Sequence, residues 1–216
     1  MTDKRTYNLG RRAETAAETR QRLVEATAAL HAARGISATS LRDIAERAGV
    51  SVGTAYHHFP TYLDAVQACG AHVMAASPLP DDSIFDDVEE RDERVLLLLR
   101  ELCAWYERNP WLERVRPERS AYPPVEAGML ALERGLEQLA RVAARCTADE
   151  ARTVAALADV AVYSSLRRAG IPAGRVPGRM AEAIIAWLRA RTSTRAARAS
   201  RNNSNDSSTN NSRRSR

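Results

Sequence analysis

Apolar residues along this chain recur at three- and four-residue spacing and nowhere alternate over a strand's length, which predicts an all-α protein. From about Thr15 to Ala33, the residues Leu23, Ala26, Thr27 and Leu30 form one stripe, and Gly35 stands where a helix should end. Ser40 then caps a short helix with Leu41, Ile44, Ala45 and Ala48 on one face. Gly49 makes a turn, Val50 packs inward, and Ser51 caps a second short helix that reaches Phe59. Pro60 breaks the chain, and Thr61 caps a helix from about Tyr62 to Ala76, with Leu63, Val66, Cys69 or Gly70, and Val73 inward. These helices should close on Leu23, Leu30, Ile36, Leu41, Ile44, Val50, Tyr56, Phe59, Leu63 and Val66.

The stretch Ser77-Pro78-Leu79-Pro80-Asp81-Asp82 reads as a linker between domains. An acidic lead-in, Asp86 to Glu90, suits a helix N-terminus. That helix turns apolar nearly all round, through Val95 to Leu99, Leu102, Cys103, Trp105 and Tyr106, as a helix at a domain centre does. Asn109-Pro110 stops it, and a short helix from Trp111 should not pass Pro117. Pro123-Pro124 opens a long helix from Val125 to Arg145, with Met129, Leu132, Leu136, Leu139 and Val142 inward. Thr147 and Glu150 form a capping box for one helix to Ala169, closed by Gly170 and Pro172. A last helix from about Pro177 to Arg191 carries Met180, Ile184, Trp187 and Leu188, after which no periodicity remains.

Of the net charge of +5 over 216 residues, the segment from Thr192 to the end supplies the whole excess, so a high pI alone says little about partners. Three widely spaced cysteines, Cys69, Cys103 and Cys146, make no disulfide framework and read as reduced thiols. No apolar run is long enough for a membrane span, and no membrane association is expected. Cys69 and His72 share one helix face but lack further ligands, so neither a metal nor another cofactor is expected. No Gly-rich phosphate loop, nucleophile elbow or HExxH motif is present, which speaks against an enzyme.

Two short helices crossed through a glycine turn form a helix-turn-helix, whose second helix normally enters the major groove. The long first helix with its glycine stop, Thr39 to Ala45, Ala48-Gly49-Val50-Ser51, Gly53-Thr54, Tyr56 and His58-Phe59-Pro60 together resemble the TetR family of transcriptional repressors. The resemblance covers residues 15–70. It implies an N-terminal three-helix DNA-binding domain joined by a linker helix to a larger helical domain for ligand binding and dimerisation. The corresponding divisions are a flexible arm at 1–12, the helix-turn-helix domain at 13–60, the linker helix and connection at 61–80, the larger domain at 81–191 and a disordered tail at 192–216.

The resemblance further implies a cytoplasmic bacterial homodimer that binds a palindromic double-stranded operator, sits on the nucleoid when bound, and is released by a small, largely hydrophobic effector. Thr54, Tyr56 and His58 match positions that contact phosphates, and Ser51 and Gly53 join them on the DNA side. His57 and Val52 fall where base edges are read, and Arg42 falls where a guanine can be reached. Tyr62 stands where a phosphate-holding Lys is common and can donate one hydroxyl bond there; Ala55 replaces a larger apolar anchor. Arg11, Arg12 and the tail could offset the missing charge on the DNA backbone. The dimer seam is expected at Leu157, Ala161, Ser165, Ile184, Trp187 and Leu188. The effector pocket is expected among Met74, Leu98, Trp105, Tyr106, Trp111, Tyr122, Met129 and Tyr163. Two rival readings keep the DNA-binding domain: a regulator without a small-molecule ligand, and a weakly specific DNA binder.

Overall fold

The computed structural model describes the backbone of residues 3–212, and the side chains of 14–194. Ten α-helices run through the described residues: α1 (Asp3–Arg34), α2 (Leu41–Ala48), α3 (Val52–His58), α4 (Tyr62–Ala76), α5 (Arg91–Arg108), α6 (Trp111–Val115), α7 (Pro123–Ala144), α8 (Ala148–Leu157), α9 (Val160–Arg168) and α10 (Val176–Ser212). Among the described residues no strand occurs, and no helix is long and apolar enough to cross a membrane.

The chain divides into two compact units. The first comprises Met1–Asp81 with Leu102–Leu136; the second comprises Asp82–Glu101 with Glu137–Arg216. The linker at 77–82 therefore falls where the first unit breaks off, but the region after it is shared, since residues 102–136 return to the N-terminal unit.

In the first unit, Leu23, Val24 and Ala26 of α1 pack with Leu41, Ile44, Ala45 and Ala48 of α2, Ala55 of α3, Phe59 and Ala65. Both short helices begin on side-chain caps, Ser40 and Ser51, which settle orphan N–H groups. Gly49 adopts φ 67° and ψ 37°, a conformation that costs other residues strain, and this lets the chain reverse between the two helices. The Arg22 guanidinium donates to the Ala48 carbonyl at 3.3 Å, closing the C-terminus of α2 against α1. Two residues expected in this core are outside it: Tyr56 is 53% exposed and Leu63 42% exposed. On α4 the face turned inward is Ala65, Val66 and Cys69, one residue round from Leu63.

In the second unit, Val95, Leu98 and Leu99 of α5, Ala140 of α7, Val154 of α8 and Val176, Met180, Ala181, Ile184 and Leu188 of α10 are buried. The Arg94 guanidinium lies 4.6 Å from the Phe85 ring centroid and donates to the carbonyls of Phe85 (3.0 Å) and Val88 (2.9 Å).

Three boundaries differ from the sequence pattern. The helix expected to run from Thr147 to Ala169 breaks at Asp159, whose carboxylate accepts from Ala161 N–H at 2.8 Å and starts α9 afresh. The short helix from Trp111 does end ahead of Pro117, at Val115; a 3-10 turn, Arg116–Ala121, follows it directly, with the proline in its first turn where no N–H is needed. At the termini α1 starts at Asp3 and α10 continues to Ser212, where a disordered arm and tail were expected. In α10 no Gly or Pro after Gly178 interrupts the helix, and the run Thr194 to Ser200 is rich in the helix formers Ala and Arg. The expected DNA contacts of Arg11, Arg12 and the tail concern side chains outside the described residues.

Candidate nucleic-acid interface and effector cavity

Helix α3 is held by one side and displayed by the other. Ala55 and Phe59 are 0% and 1% exposed and fix the helix to the core. Ser51 Oγ accepts from Thr54 N–H at 3.0 Å and lies 2.8 Å from Thr54 Oγ1. Ser51, Val52, Gly53, Tyr56 and His57 are exposed, while Thr54 and His58 are half-buried beside them. Val52, at 37% exposed, lies on the displayed side. Arg42 on α2 is exposed as well. The rings of His57 and His58 meet edge to face at 5.4 Å. Burial first, then the charges of His57 and Arg20, hold His58 below its ordinary pKa. It is therefore neutral at physiological pH, with one nitrogen to donate and one to accept.

Arg20, which the sequence reading passed over, stands next to this surface. Its guanidinium lies 5.1 Å from the Phe59 ring centroid, and it has no ion pair among the described residues. An Arg stacked on an aromatic face is oriented yet still free to bond a phosphate. Its place in α1, far from the helix-turn-helix in sequence, gave no signal; only the packing of α1 on Phe59 brings it there.

The Tyr62 hydroxyl, expected on the DNA side, is turned inward. Its O–H donates inward to the Ile36 carbonyl at 2.7 Å, and His31 Nε2 lies 2.9 Å from the same oxygen. With the tyrosine proton committed to Ile36, Nε2–H of His31 is the donor in that pair. The reason is local: Tyr62 is the first residue of α4, and its ring packs edge-on to His31 and Tyr122 rather than outward. Burial raises its pKa further above the ordinary tyrosine value.

A cavity of about 440 Å³ opens in the first unit between α1, α4, α6 and α7. Ala28 and His31 line it from α1, Val66, Cys69 and Met74 from α4, Trp111 from α6, and Gly128 and Met129 from α7. No Asp, Glu, Lys or Arg lines it. Burial pushes the Cys69 thiol up to about 12, and burial outweighs the attraction of Glu118 to bring His31 down to about 4. Both groups are neutral at physiological pH.

Of the expected pocket residues, Met74, Trp111 and Met129 line this cavity. Leu98 and Tyr163 belong to the second unit. Trp105 and Tyr106 are buried core residues, and Tyr122 packs against Tyr62. Trp105 and Trp111 are nonetheless linked. Trp105 Nε1 donates to the Ser77 carbonyl at 3.0 Å, and Trp111 Nε1 donates to Asn109 Oδ1 at 2.9 Å. Asn109 Nδ2 donates in turn to Ser77 Oγ at 2.9 Å, so the wall at Trp111 is tied to the end of α4.

A second tie joins the cavity wall to the helix-turn-helix. Glu118, in the turn before α7, accepts from Ile36 N–H at 3.0 Å and Ser37 N–H at 2.7 Å. Its neighbour Arg119 forks onto Glu126 and Glu133 of α7. The Gly35 backbone at φ 89° brings the loop against the Glu118 carboxylate so closely that a Cβ there would sit 2.4 Å from Oε1.

Among the expected dimer residues, Ile184 and Leu188 are 0% and 3% exposed within the single chain. They lie on the α10 face that also buries Met180 and Ala181, and so fill their own unit's core. Leu157 and Trp187 are half-buried, and Ala161 and Ser165 are exposed. Among the described residues no three His, Cys, Asp or Glu side chains are grouped to hold a metal ion.

A sequence model described as "Bacterial regulatory proteins, tetR family" matches residues 23–61. The nucleoid occlusion factor SlmA of Vibrio vulnificus is 31% identical over 97 residues, 44% of this chain and 50% of that protein. The HTH-type transcriptional regulator TtgR of Pseudomonas putida is 46% identical over 55 residues, 26% of each chain. The chain thus spans half or less of the length of these curated relatives. A tetR-family transcriptional regulator from Streptomyces coelicolor has the same fold, with a TM-score of 0.62 at 19% identity over 81% of this chain and 83% of that one.

Proposed function

Because this chain belongs to the TetR family of bacterial transcriptional regulators, whose members are not enzymes, we propose that it acts as a homodimer on a palindromic operator and is released when a small apolar molecule fills the cavity of the first unit. The observation that carries this reading is the anchoring of α3 by Ala55 and Phe59 with Val52, Gly53, Tyr56 and His57 left facing solvent. Buried anchors fix where the exposed groups point, which a groove-reading helix requires.

The roles follow from chemistry. Ser51, Thr54, Tyr56 and His58 can donate to phosphate oxygens, which only accept. Arg20 supplies beside them the cationic contact that Tyr62 does not. His57 and Arg42 offer hydrogen bonds to base edges, and Val52 offers a methyl surface to thymine. One recognition helix per chain reaches one half-site, so a symmetric partner is needed for a palindrome. Leu157, Ala161, Ser165 and Trp187 remain available for that seam. The effector role rests on the charge-free cavity and on the Glu118 tie from its wall to the loop before α2.

The test is fluorescence anisotropy with the duplex upstream of the chain's own gene against a random duplex, across a salt series. Specific binding should exceed random binding by about a thousandfold or more at physiological salt. Equal affinity at every salt concentration would overturn the repressor reading. It would favour the second one, a weakly specific DNA binder, which the similarity to a nucleoid occlusion factor supports.

A further inference from the structure

We propose that the cavity takes an uncharged apolar ligand carrying one hydrogen-bond donor, such as a hydroxyl, and that His31 is the residue that recognises the donor. The inference rests on the effector reading above and specifies its chemistry.

Three observations lead to it. The lining holds no formal charge, and its ionisable members, His31 and Cys69, are both neutral at physiological pH. A ligand carboxylate, sulfonate or ammonium would therefore be desolvated without a counter-charge, a penalty that far exceeds the gain from apolar contact. The imidazole is the ring at the wall with a defined tautomer. Its Nε2–H is spent on Tyr62, whose own proton goes to the Ile36 carbonyl. Its Nδ1 consequently carries a lone pair and has no partner among the described residues. A donor on the ligand satisfies it; an acceptor does not. Of the rest of the wall, Val66, Met74, Trp111 and Met129 offer contact area, and Gln67 is the one other side chain there with a strong hydrogen-bond acceptor, on a residue that is exposed to solvent rather than enclosed.

The experiment uses matched probes on the full chain. Phenylnaphthylamine is neutral and brightens in apolar surroundings; anilinonaphthalene sulfonate is the same skeleton with a fixed negative charge. The neutral dye should bind at least about tenfold more tightly than the sulfonate. Gly128→Leu should weaken it by about tenfold. A Cβ at Gly128 meets nothing within 4 Å, so this variant fills the cavity without displacing the backbone. Displacement of the dye by naphthol and by naphthalene then reads His31. The ratio of their affinities should fall about fivefold or more in His31→Leu, because only the hydroxyl loses a partner. Should His31→Leu fail to fold, His31→Gln, which keeps an acceptor, should retain most of the ratio.

Equal binding of the two dyes, indifference to Gly128→Leu, or a ratio unchanged in His31→Leu each overturns the proposal; for His31→Gln, collapse of the ratio does so. Labelled operator DNA in the same sample separates this proposal from the reading it rests on. Dye bound in the cavity without release of DNA counts against effector-driven release and leaves the ligand chemistry standing. Intact DNA binding with no dye binding overturns the ligand chemistry.

Discussion

Seven residues, Val52–His58, make up α3, and only Ala55 among them is buried; the cavity takes its wall from four helices between Ala28 and Leu132 and presents no formally charged side chain. The first surface works by display and the second by enclosure. A displayed surface needs only that its anchor be rigid, since each exposed side chain acts on its own. An enclosed surface needs every wall in place at once, because a cavity is defined by what surrounds it. The two are nevertheless joined at one short loop. The Ile36 and Ser37 N–H groups donate to Glu118, and the Ile36 carbonyl accepts from Tyr62, itself paired with His31 in the cavity wall. The proposed ligand cavity and the proposed DNA surface thus meet at the loop before α2.

The strongest way to break the contrast is to remove the anchor. Phe59→Ala deletes a ring that is 1% exposed and should cost about 3–5 kcal/mol. Thermal denaturation should show it as a large fall in Tm, with operator binding lost. Changes on the display side should behave oppositely. Arg42→Ala and His57→Ala should each remove about 1–3 kcal/mol of operator preference at unchanged Tm. Arg20→Ala should weaken specific and random DNA alike and lower the salt slope by about 1 per protomer. A fall in sequence preference on removing Arg20 would refute its phosphate role.

On the enclosed side the contrast sharpens with pH. His31 titrates at about 4 when folded against an ordinary value of 6.5. The unfolded chain therefore binds the proton first, so stability rises with pH across that interval and is lost as the solution is acidified. Between pH 6.5 and about pH 5 the loss attributable to His31 should be about 1.5 kcal/mol. His31→Leu should flatten this part of the urea-midpoint profile, and an unchanged profile would show that the imidazole is already solvated.

The display surface was largely legible in the sequence because its determinants are local. Ser40, Gly49 and Ser51 act within three or four residues of themselves, and the apolar spacing from Leu41 to Ala48 states which side is anchored. What misled was orientation at the ends. Tyr56 and Leu63 look like core by composition but fall on outward faces of α3 and α4. Tyr62 matches a DNA-facing position but turns its hydroxyl inward because His31 and Ile36 offer partners. The cavity was legible only in part. Met74, Trp111 and Met129 announce themselves by size, whereas Ala28, Gly70 and Gly128 contribute by being small. Small residues make space only relative to neighbours on other helices, and no periodicity within one helix reports that.

The smallest expected effect tests the loop that joins the two surfaces. Burial alone would raise the Glu118 pKa, but hydrogen bonds from Ser37 and from the Ile36 backbone, with help from His31, hold it below the ordinary carboxylate value. A carboxyl depressed in the folded state contributes stability above the unfolded value of 4.5, and that contribution fades as pH falls through its folded value. Glu118→Gln replaces one accepting oxygen by an NH2 that cannot accept from either backbone N–H. Because the carboxylate is partly solvated, the cost near neutral pH should be under about 1 kcal/mol. The difference in urea midpoint between Glu118→Gln and the parent chain should shrink toward acid, as the parent's own carboxylate takes up its proton. A constant difference across pH would mean that Glu118 holds the loop by shape alone. In that case the tie from the cavity wall to the helix-turn-helix would not depend on charge.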